Sequence, residues 1–526
     1  MEWDNPGQLV RQIPAEDFFW LIQKMGEDEC LPMLAMASDD QKEYLLDLVS
    51  WDKDRMDLEK TSTWLGRLVQ ADPEGLAKWL FSRGESLAYY YLFKNIQVEI
   101  RSEDDDHRDF GEDFFTLDDV FYVRVFQEEL KEKAINILRA MAGEDLGLYQ
   151  TLLSTLAGVL PAELEEDMYR LRNVRLAEHG FLPTEEALGV YASLDPKDVN
   201  MEDHDEAEAL IPDKDVRELI PISPFYHVRD RDLLTTVFSK IDDDLMLGRL
   251  RLEFAGLCNQ ILSADGMIAD DVDMLIGVCQ KAARHLNLTL EMLCDTDAQK
   301  AVTVIRNNTL LTLFRVGFGL VLRLKWETER WLKTSWFNRL SLGLSFWADK
   351  WGETLTGILK NKPQLYVGLE EENEFREFKH LFELDGCRIL VHRLKALDKM
   401  MEQLAERYPL ETGSAEGGQL TFYHLMFNLW ARKSLDLEPS FSAISADQVK
   451  AFFSHLRTGE DAFPFRMPGF KEVFIRDFKA CVSDFEPGVE ADLEDALSLI
   501  WQEFTEEYEG VAAEDLDGRF SKFIQM

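Results

Sequence analysis

Positive charge is scarce in this 526-residue chain: 57 lysines and arginines stand against 99 aspartates and glutamates, a formal net charge of −42. Nucleic-acid affinity comes largely from neutralising phosphates with Lys and Arg, so no nucleic-acid partner is expected, and the acidity reads as cytoplasmic solubility. Cysteine is scarce too. Cys30, Cys258, Cys279, Cys294, Cys387 and Cys481 are scattered and form no CxxC, which excludes a disulfide framework and fits reduced, mostly buried thiols. Long apolar runs are missing. The longest stretch without a charge, Leu146–Ala162, contains Gln150, Thr151, Ser154, Thr155 and Pro161. It falls short of the roughly 18–20 apolar residues that a membrane span needs, so no transmembrane segment is expected. The opening MEWDNPGQLVRQIP lacks a basic region ahead of an apolar core, hence no secretory signal is read there. GxSxG and GxxxxGK[ST] are absent as well, which removes the local basis for a nucleophile elbow or a phosphate loop.

What is present is apolar and helical. Hydrophobic residues make up 46% and aromatics 11%, enough for large cores, and the length points to more than one domain. The expected class is mainly α: stacked helical modules with a small β-hairpin insertion, then a larger helical domain. Residues 1–94 read as helical modules. Asp17–Val49 and Ser62–Phe93 each show an apolar helix, an acidic turn, a second helix, a polar break and a third helix, and Phe126–Leu156 reads as a further copy. A unit of this kind cannot bury its apolar face alone, so the units should stack. Within ADPEGLAKWL, Asp72 is expected to cap a helix whose first position is Pro73.

Residues 95–126 hold the acidic run Glu103–Asp113, expected as a solvated loop. They also hold FFTLDDVFYVRVF, where apolar runs flank Asp118-Asp119 and predict a β-hairpin, with Asn95–Ile100 as a third strand. Residues 127–194 continue the helices, with a stop at Gly180 and a start at Pro183-Thr184. The acidic stretch 195–215 is the expected linker, and 216–526 the C-terminal helical domain. Loops are expected at Lys360–Glu374, Glu411–Gln419 and Asp436–Asp447.

Candidate chemistry is thin. LFRVGFGLVLRLKWETERW, Leu313–Trp331, is apolar nearly all round and reads as a buried helix; Gly317 and Gly319 would let a neighbouring backbone come close. A dinucleotide fingerprint would need a further glycine and a preceding strand. From Lys300 to Lys362 there are 11 Lys or Arg against 4 acids, and Trp326, Trp331, Trp336, Trp347 and Trp351 fall here. This basic, Trp-rich region suits structural use first, then a docking surface or an anionic membrane face.

Asp265–Asp273 offers four carboxylates, but an EF-hand spacing fails at its third, fifth and twelfth places, leaving a solvated helix start. His380, Cys387 and His392 match no zinc spacing. His204-Asp205 sits in the linker, and Gly413, Gly417 and Gly418 in a plain loop. No catalytic or cofactor-binding residue and no cofactor is expected; metal binding by the acidic segments stays open.

Three resemblances follow from particular segments. LLDLVSWDKDRMD, TLDDVFYVRV, YRLRNVRLAEHGFLPTEEALGVYASLDP, FAGLCNQILSADG, LNLTLEML and LFRVGFGLVLRLK, in this order, resemble an uncharacterised family of large bacterial cytosolic proteins. That resemblance implies a mostly helical protein and carries no functional motif. The N-terminal modules are similar in pattern to the acidic α-superhelical domains of magnesium transporters and of the flagellar motor-switch protein. LCNQILSADGMIADDVDMLIGVCQKAARHLNLTLE, with Ala264-Asp265-Gly266 as its turn and Asp270, Asp271 and Asp273 as its acids, is similar to the tellurite-resistance type of domain.

The functional expectation is a non-enzymatic cytosolic interaction or scaffold protein with a protein partner, since stacked helices build extended concave surfaces. A divalent-cation or membrane-surface sensor is the alternative. So is an enzyme whose site is assembled from distant helices, with His380, His392 and His424 as the histidines to watch.

Overall fold

The computed structural model describes residues 6–26, 29–52, 54–101, 111–157, 163–201, 221–228, 230–267, 272–368, 373–408, 410, 420–457, 463–483, 485–512, 515–516 and 521–526. The protein is mainly α-helical with a few short antiparallel strands. It forms two compact units, Met1–Gly317 and Phe318–Met526.

The first unit opens with α1 (Pro6–Arg11), α2 (Ala15–Met25), α3 (Leu31–Leu34) and α4 (Asp39–Val49), the last three forming the first expected module. After a two-stranded ribbon, β1 (Trp51–Asp52) and β2 (Arg55–Met56), come α5 (Leu58–Ala71), α6 (Pro73–Leu80) and α7 (Glu85–Asn95), the second module. The third copy has two helices, α8 (Glu128–Glu144) and α9 (Leu146–Leu156). The modules stack as expected: α3 and α4 pack on α5, and α8 packs on α5 and α6.

Many of the chain's acids have a local job. Side-chain oxygens of Asp57, Asp72, Asp145, Asp243 and Asp297 accept N–H groups in the first turns of their helices, satisfying donors that have no partner inside the helix. Asp72 and Pro73 stand where the sequence placed them.

Between α7 and α8 lie β3 (Ile96–Ile100), β4 (Phe115–Thr116) and β5 (Phe121–Val125), ordered β3-β5-β4 with Ile96 opposite Val125. The hairpin turn is closed by Asp118, whose Oδ1 accepts N–H from Val120 and Phe121, and Asp119 takes φ +57°. Of Glu103–Asp113, residues 103–110 lie outside the described residues, and Gly111, Glu112 and Asp113 are exposed.

Next come α10 (Leu164–Glu178), Gly180 at φ +84°, and α11 (Thr184–Ala187). Residues 202–220, most of the expected linker with His204-Asp205, lie outside the described residues. The boundary between units falls about a hundred residues after that linker, at Gly317/Phe318. The reason lies in α12 (Ser223–Tyr226). It returns to α2, where the buried Asp17 carboxylate accepts N–H from Ile222 at 2.9 Å and from Ser223 at 2.7 Å. The rest of the first unit is α13 (Leu233–Phe238), α14 (Asp244–Asp265), α15 (Val272–Cys294), α16 (Ala298–Asn307) and the start of α17 (Leu310–Leu332).

α17 is the segment LFRVGFGLVLRLKWETERW. Leu313, Phe314, Val316, Phe318, Leu320, Val321 and Leu324 are all buried. A Cβ on Gly317 would lie 1.9 Å from the His285 carbonyl oxygen of α15, so only glycine allows this approach. Thr289 Oγ1 reinforces it by donating to Leu313 O at 2.6 Å.

The second unit contains α18 (Trp336–Arg339), α19 (Ala348–Leu359), β6 (Leu365–Tyr366), β7 (Phe375–Arg376), α20 (Leu381–Arg407), α21 (Phe422–Ser434), α22 (Ala446–Leu456), α23 (Phe470–Lys479) and α24 (Pro487–Tyr508). The expected loop Lys360–Glu374 thus contributes β6 to a small ribbon, because Leu365 and Tyr366 pair with Arg376 and Phe375. Aromatic rings form the core. Phe337, Phe346, Trp347 and Phe422 make one chain of ring contacts, and Phe427, Trp430, Phe474 and Phe504 another. Such contacts add to burial through edge-to-face and offset geometry. Asp398 of α20 sits among them and accepts the N–H groups of Trp336 and Phe337 at 3.0 and 3.1 Å.

Candidate functional site

Two features of the first unit gather polar side chains. One is a groove of about 840 Å³ lined by α5 and α8. α5 contributes Thr63, Gly66, Arg67 and Gln70, and α8 contributes Glu132, Lys133, Asn136 and Arg139. These positions recur at three- and four-residue steps, so each set forms a stripe along one helix face. Gly66 has a packing reason: the Lys133 stem crosses it, with Cδ 3.2 Å from where a Cβ would be, and Nζ reaches Thr63 Oγ1 at 3.4 Å. The Arg67 guanidinium lies 4.6 Å from the Trp64 ring centre, a cation–π contact that holds it against α5. Arg67, Lys133 and Arg139 give the groove three cations against the single acid Glu132.

The other feature is an ion-pair network between α4 and α10. Asp40, Glu43 and Asp47 form an acidic stripe on α4; Arg172, Arg175 and His179 form a basic one on and just past α10. Arg175 grips Asp47 with two bonds, Nε at 2.8 Å and Nη2 at 2.7 Å, and Arg172 Nε donates to the Asp47 carbonyl at 2.6 Å. Arg83 bridges Asp40 and Glu43 at 2.5 and 2.6 Å, and His179 Nδ1 stands 2.7 Å from Glu16 Oε1.

Burial pushes the Asp47 and Glu43 carboxyls above the usual range, and the facing guanidiniums only partly restore them. Burial alone would lower His179, but the bond to Glu16 and its charge outweigh that and raise it. Arg172 is lowered by burial. A cavity of about 80 Å³ opens beside this network, lined among others by Ser50, Trp51, Met56, Trp79 and Gly84.

Over residues 1–526 the sequence matches a family of unknown function, DUF6178. The chain belongs to that family. No curated protein and no solved structure matches it.

The residues singled out from the sequence of this DUF6178 chain are not brought together. His380 caps α20 and stacks on Phe382, Cys387 is buried, His392 Nε2 lies 3.1 Å from Glu327, and His424 Nδ1 accepts the Thr421 N–H. Among the described residues no three His, Cys, Asp or Glu side chains converge as metal ligands. Asp265 corrects the reading of a solvated helix start. Its side chain is buried, accepting from Tyr191 Oη at 2.5 Å and Lys281 Nζ at 3.0 Å, because Gly266 at φ +63° ends α14 there. Asp270, Asp271, Gly413, Gly417 and Gly418 lie outside the described residues.

In the basic, Trp-rich region, Trp336, Trp347 and Trp351 are buried, and Trp326 is 44% exposed. Its cations serve neighbouring elements: Lys325 Nζ donates to the Lys360 carbonyl, and Arg339 pairs with Glu402. No described helix is long and apolar enough to cross a membrane. The groove and the paired stripes were missed from sequence. Their signal was there, in like charges at helical spacing, but which stripe meets which depends on tertiary pairing.

Proposed function

We propose that the protein is a non-enzymatic cytoplasmic interaction protein whose α5/α8 groove takes an acidic peptide segment of a protein partner. The observation that carries this is the run of Arg67, Lys133 and Arg139 in an open groove on a chain of net charge −42. Local positive potential in a cleft attracts an anionic segment. The negative charge of the chain as a whole disfavours a phosphate backbone, which gathers charge along its full length. Stacked helices supply such a groove without chemistry of their own.

The test is fluorescence anisotropy with a labelled Glu-rich helical peptide and a single-stranded DNA of similar length. Each exposed charge pair contributes about 0.2–1 kcal/mol, so reversing all three cations (Arg67→Glu, Lys133→Glu, Arg139→Glu) weakens peptide binding at least about tenfold. Binding also weakens as salt rises. An acidic peptide that does not bind at low salt, or binds the triple variant equally well, overturns the proposal. So does DNA that binds as tightly as the peptide.

A further inference from the structure

The small sheet of the first unit ends in an open edge. In the order β3-β5-β4, β3 has a strand on one side only. Phe126 N–H donates to the Asn95 carbonyl and Arg101 N–H to the Val120 carbonyl, both at 2.9 Å. Backbone groups alternate in direction along an antiparallel strand. Asn95, Gln97, Glu99 and Arg101 therefore turn theirs to β5, and Ile96, Val98 and Ile100 turn theirs outward. The Ile96 N–H is taken by the Leu92 carbonyl at the end of α7. Among the described residues nothing bonds the Ile96 carbonyl, or the N–H and carbonyl of Val98 and of Ile100. Such a row is a template for a further strand, and proteins usually guard it with lysine, proline or a bulge. The strand IQVEI carries none of these, and its register with β5 is unbroken from Ile96 to Ile100.

Its sequence reads nearly the same in both directions, which selects the occupant. Turned antiparallel about Val98, a second β3 sets Val98 opposite Val98, Ile96 opposite Ile100 and Gln97 opposite Glu99. The outward backbone groups then meet: Val98 N–H with the Val98 carbonyl, and Ile100 N–H with the Ile96 carbonyl, each in both directions. The rows of side chains match as well. On one face Val123 and Val98 run on into Val98 and Val123 of the second copy, and Val125 and Ile96 run on into its Ile100 and Phe121. Ile100, 44% exposed at the end of the strand, comes to lie beside an apolar side chain. On the other face Arg124 Nη2 donates to Gln97 Oε1 at 2.6 Å, and that row runs on into Glu99 of the second copy. No like charges stand side by side. A slip of one residue would turn every side chain to the wrong face.

We infer that the β3 edge is a self-association surface, at which two copies of this chain join their sheets antiparallel about Val98. The contact is independent of the α5/α8 groove and differs from it in its response to salt. Two chains of net charge −42 repel each other, so the strand contact strengthens as salt screens that repulsion.

The experiment is sedimentation velocity of the full-length protein from about 1 to 300 µM, at low and moderate salt. One short strand makes a small interface, so the dimer is weak, half assembled at about 10–100 µM. Val98→Pro removes an N–H that β5 does not use, a place where an edge strand tolerates proline, and weakens the dimer at least about tenfold. Glu99→Lys sets a lysine opposite Gln97 of the second copy, next to its Arg124, and weakens the dimer in the same direction. Circular dichroism checks that each variant folds; if Val98→Pro does not, Glu99→Lys and a cross-link carry the test. Val98→Cys reads the register, because Val98 alone faces its own copy. The Cα spacing of a bonded pair, about 5.5 Å, suits a disulfide. With diamide as the thiol oxidant, Val98→Cys should form covalent dimers and Gln97→Cys should not; the native cysteines are buried. A monomer at every concentration overturns the inference. So does a dimer that both edge variants leave intact, one that weakens as salt rises, or one lost on reversing Arg67, Lys133 and Arg139.

Discussion

Replacing Gly317 with alanine tests the central packing claim about α17. The new Cβ would stand 1.9 Å from the His285 carbonyl oxygen, where ordinary contact begins at 3.4 Å, and 2.9 Å from Thr289 Oγ1. The obstacle is backbone, which cannot rotate away, so α15 and α17 must separate by well over an ångström. Overpacking of this kind costs about 1–3 kcal/mol. Separation also strains the Thr289 bond to the Leu313 carbonyl, a loss of about 1 kcal/mol. Alanine's better helix propensity returns about 1 kcal/mol. The net expectation is a destabilisation of about 1–3 kcal/mol.

Native-state hydrogen exchange read by mass spectrometry on peptides of α15 and α16 is the assay, because it reports the first unit separately. Exchange there should accelerate about 5- to 150-fold. Gly277→Ala is the control: it is exposed on α15 with nothing within 4 Å of its new Cβ, and it should gain about 0.5–1 kcal/mol from propensity alone. If Gly317→Ala exchanges at the wild-type rate, the close approach of the two helices is refuted.

Two further outcomes follow from the geometry. The folded-state pKa of His179 lies above its ordinary 6.5, so the charged pair with Glu16 contributes fully below pH 6.5 and is lost as pH rises through the raised value. The stability advantage of wild type over His179→Gln, measured by urea unfolding, should therefore shrink from pH 6 to pH 8; a constant difference would count against the pair. Asp398→Ala leaves the buried Trp336 and Phe337 N–H groups without their acceptor and should cost the second unit about 3 kcal/mol. Asp398→Asn, keeping one acceptor, should cost less, with near-UV circular dichroism of the tryptophan cluster falling in the same order; equal stability of all three proteins would contradict the buried contact.

What could be read in advance was whatever repeats within one element. α17 announced itself by apolar residues on every face, the hairpin by Asp118-Asp119 between β-branched and aromatic runs, and α6 by Asp72-Pro73. The misses share another cause. Asp40, Glu43 and Asp47 look like a solvated helix face until Arg172 and Arg175 arrive from α10, more than a hundred residues later. Asp265 likewise looks solvated until Lys281 and Tyr191 are placed around it. The close approach of Gly84 to the Trp79 ring, where a Cβ would stand 2.3 Å from it, depends on how one turn folds over its neighbour. The expected division at residues 195–215 followed composition, whereas the first unit closes only when α12 returns to α2.

That return sets an order for synthesis. Asp17 is buried, and its acceptors face N–H groups 205 and 206 residues downstream. Ribosomes add about 5–20 residues each second, so roughly 10–40 seconds pass between the appearance of α2 and that of its partner. Throughout that interval Phe18, Phe19 and Ile22, which end fully covered, wait with the carboxylate still in water. The N-terminal modules therefore emerge as an incomplete object, and a fragment cut at the acidic linker would keep this nascent state permanently, with α2 as its exposed and sticky edge.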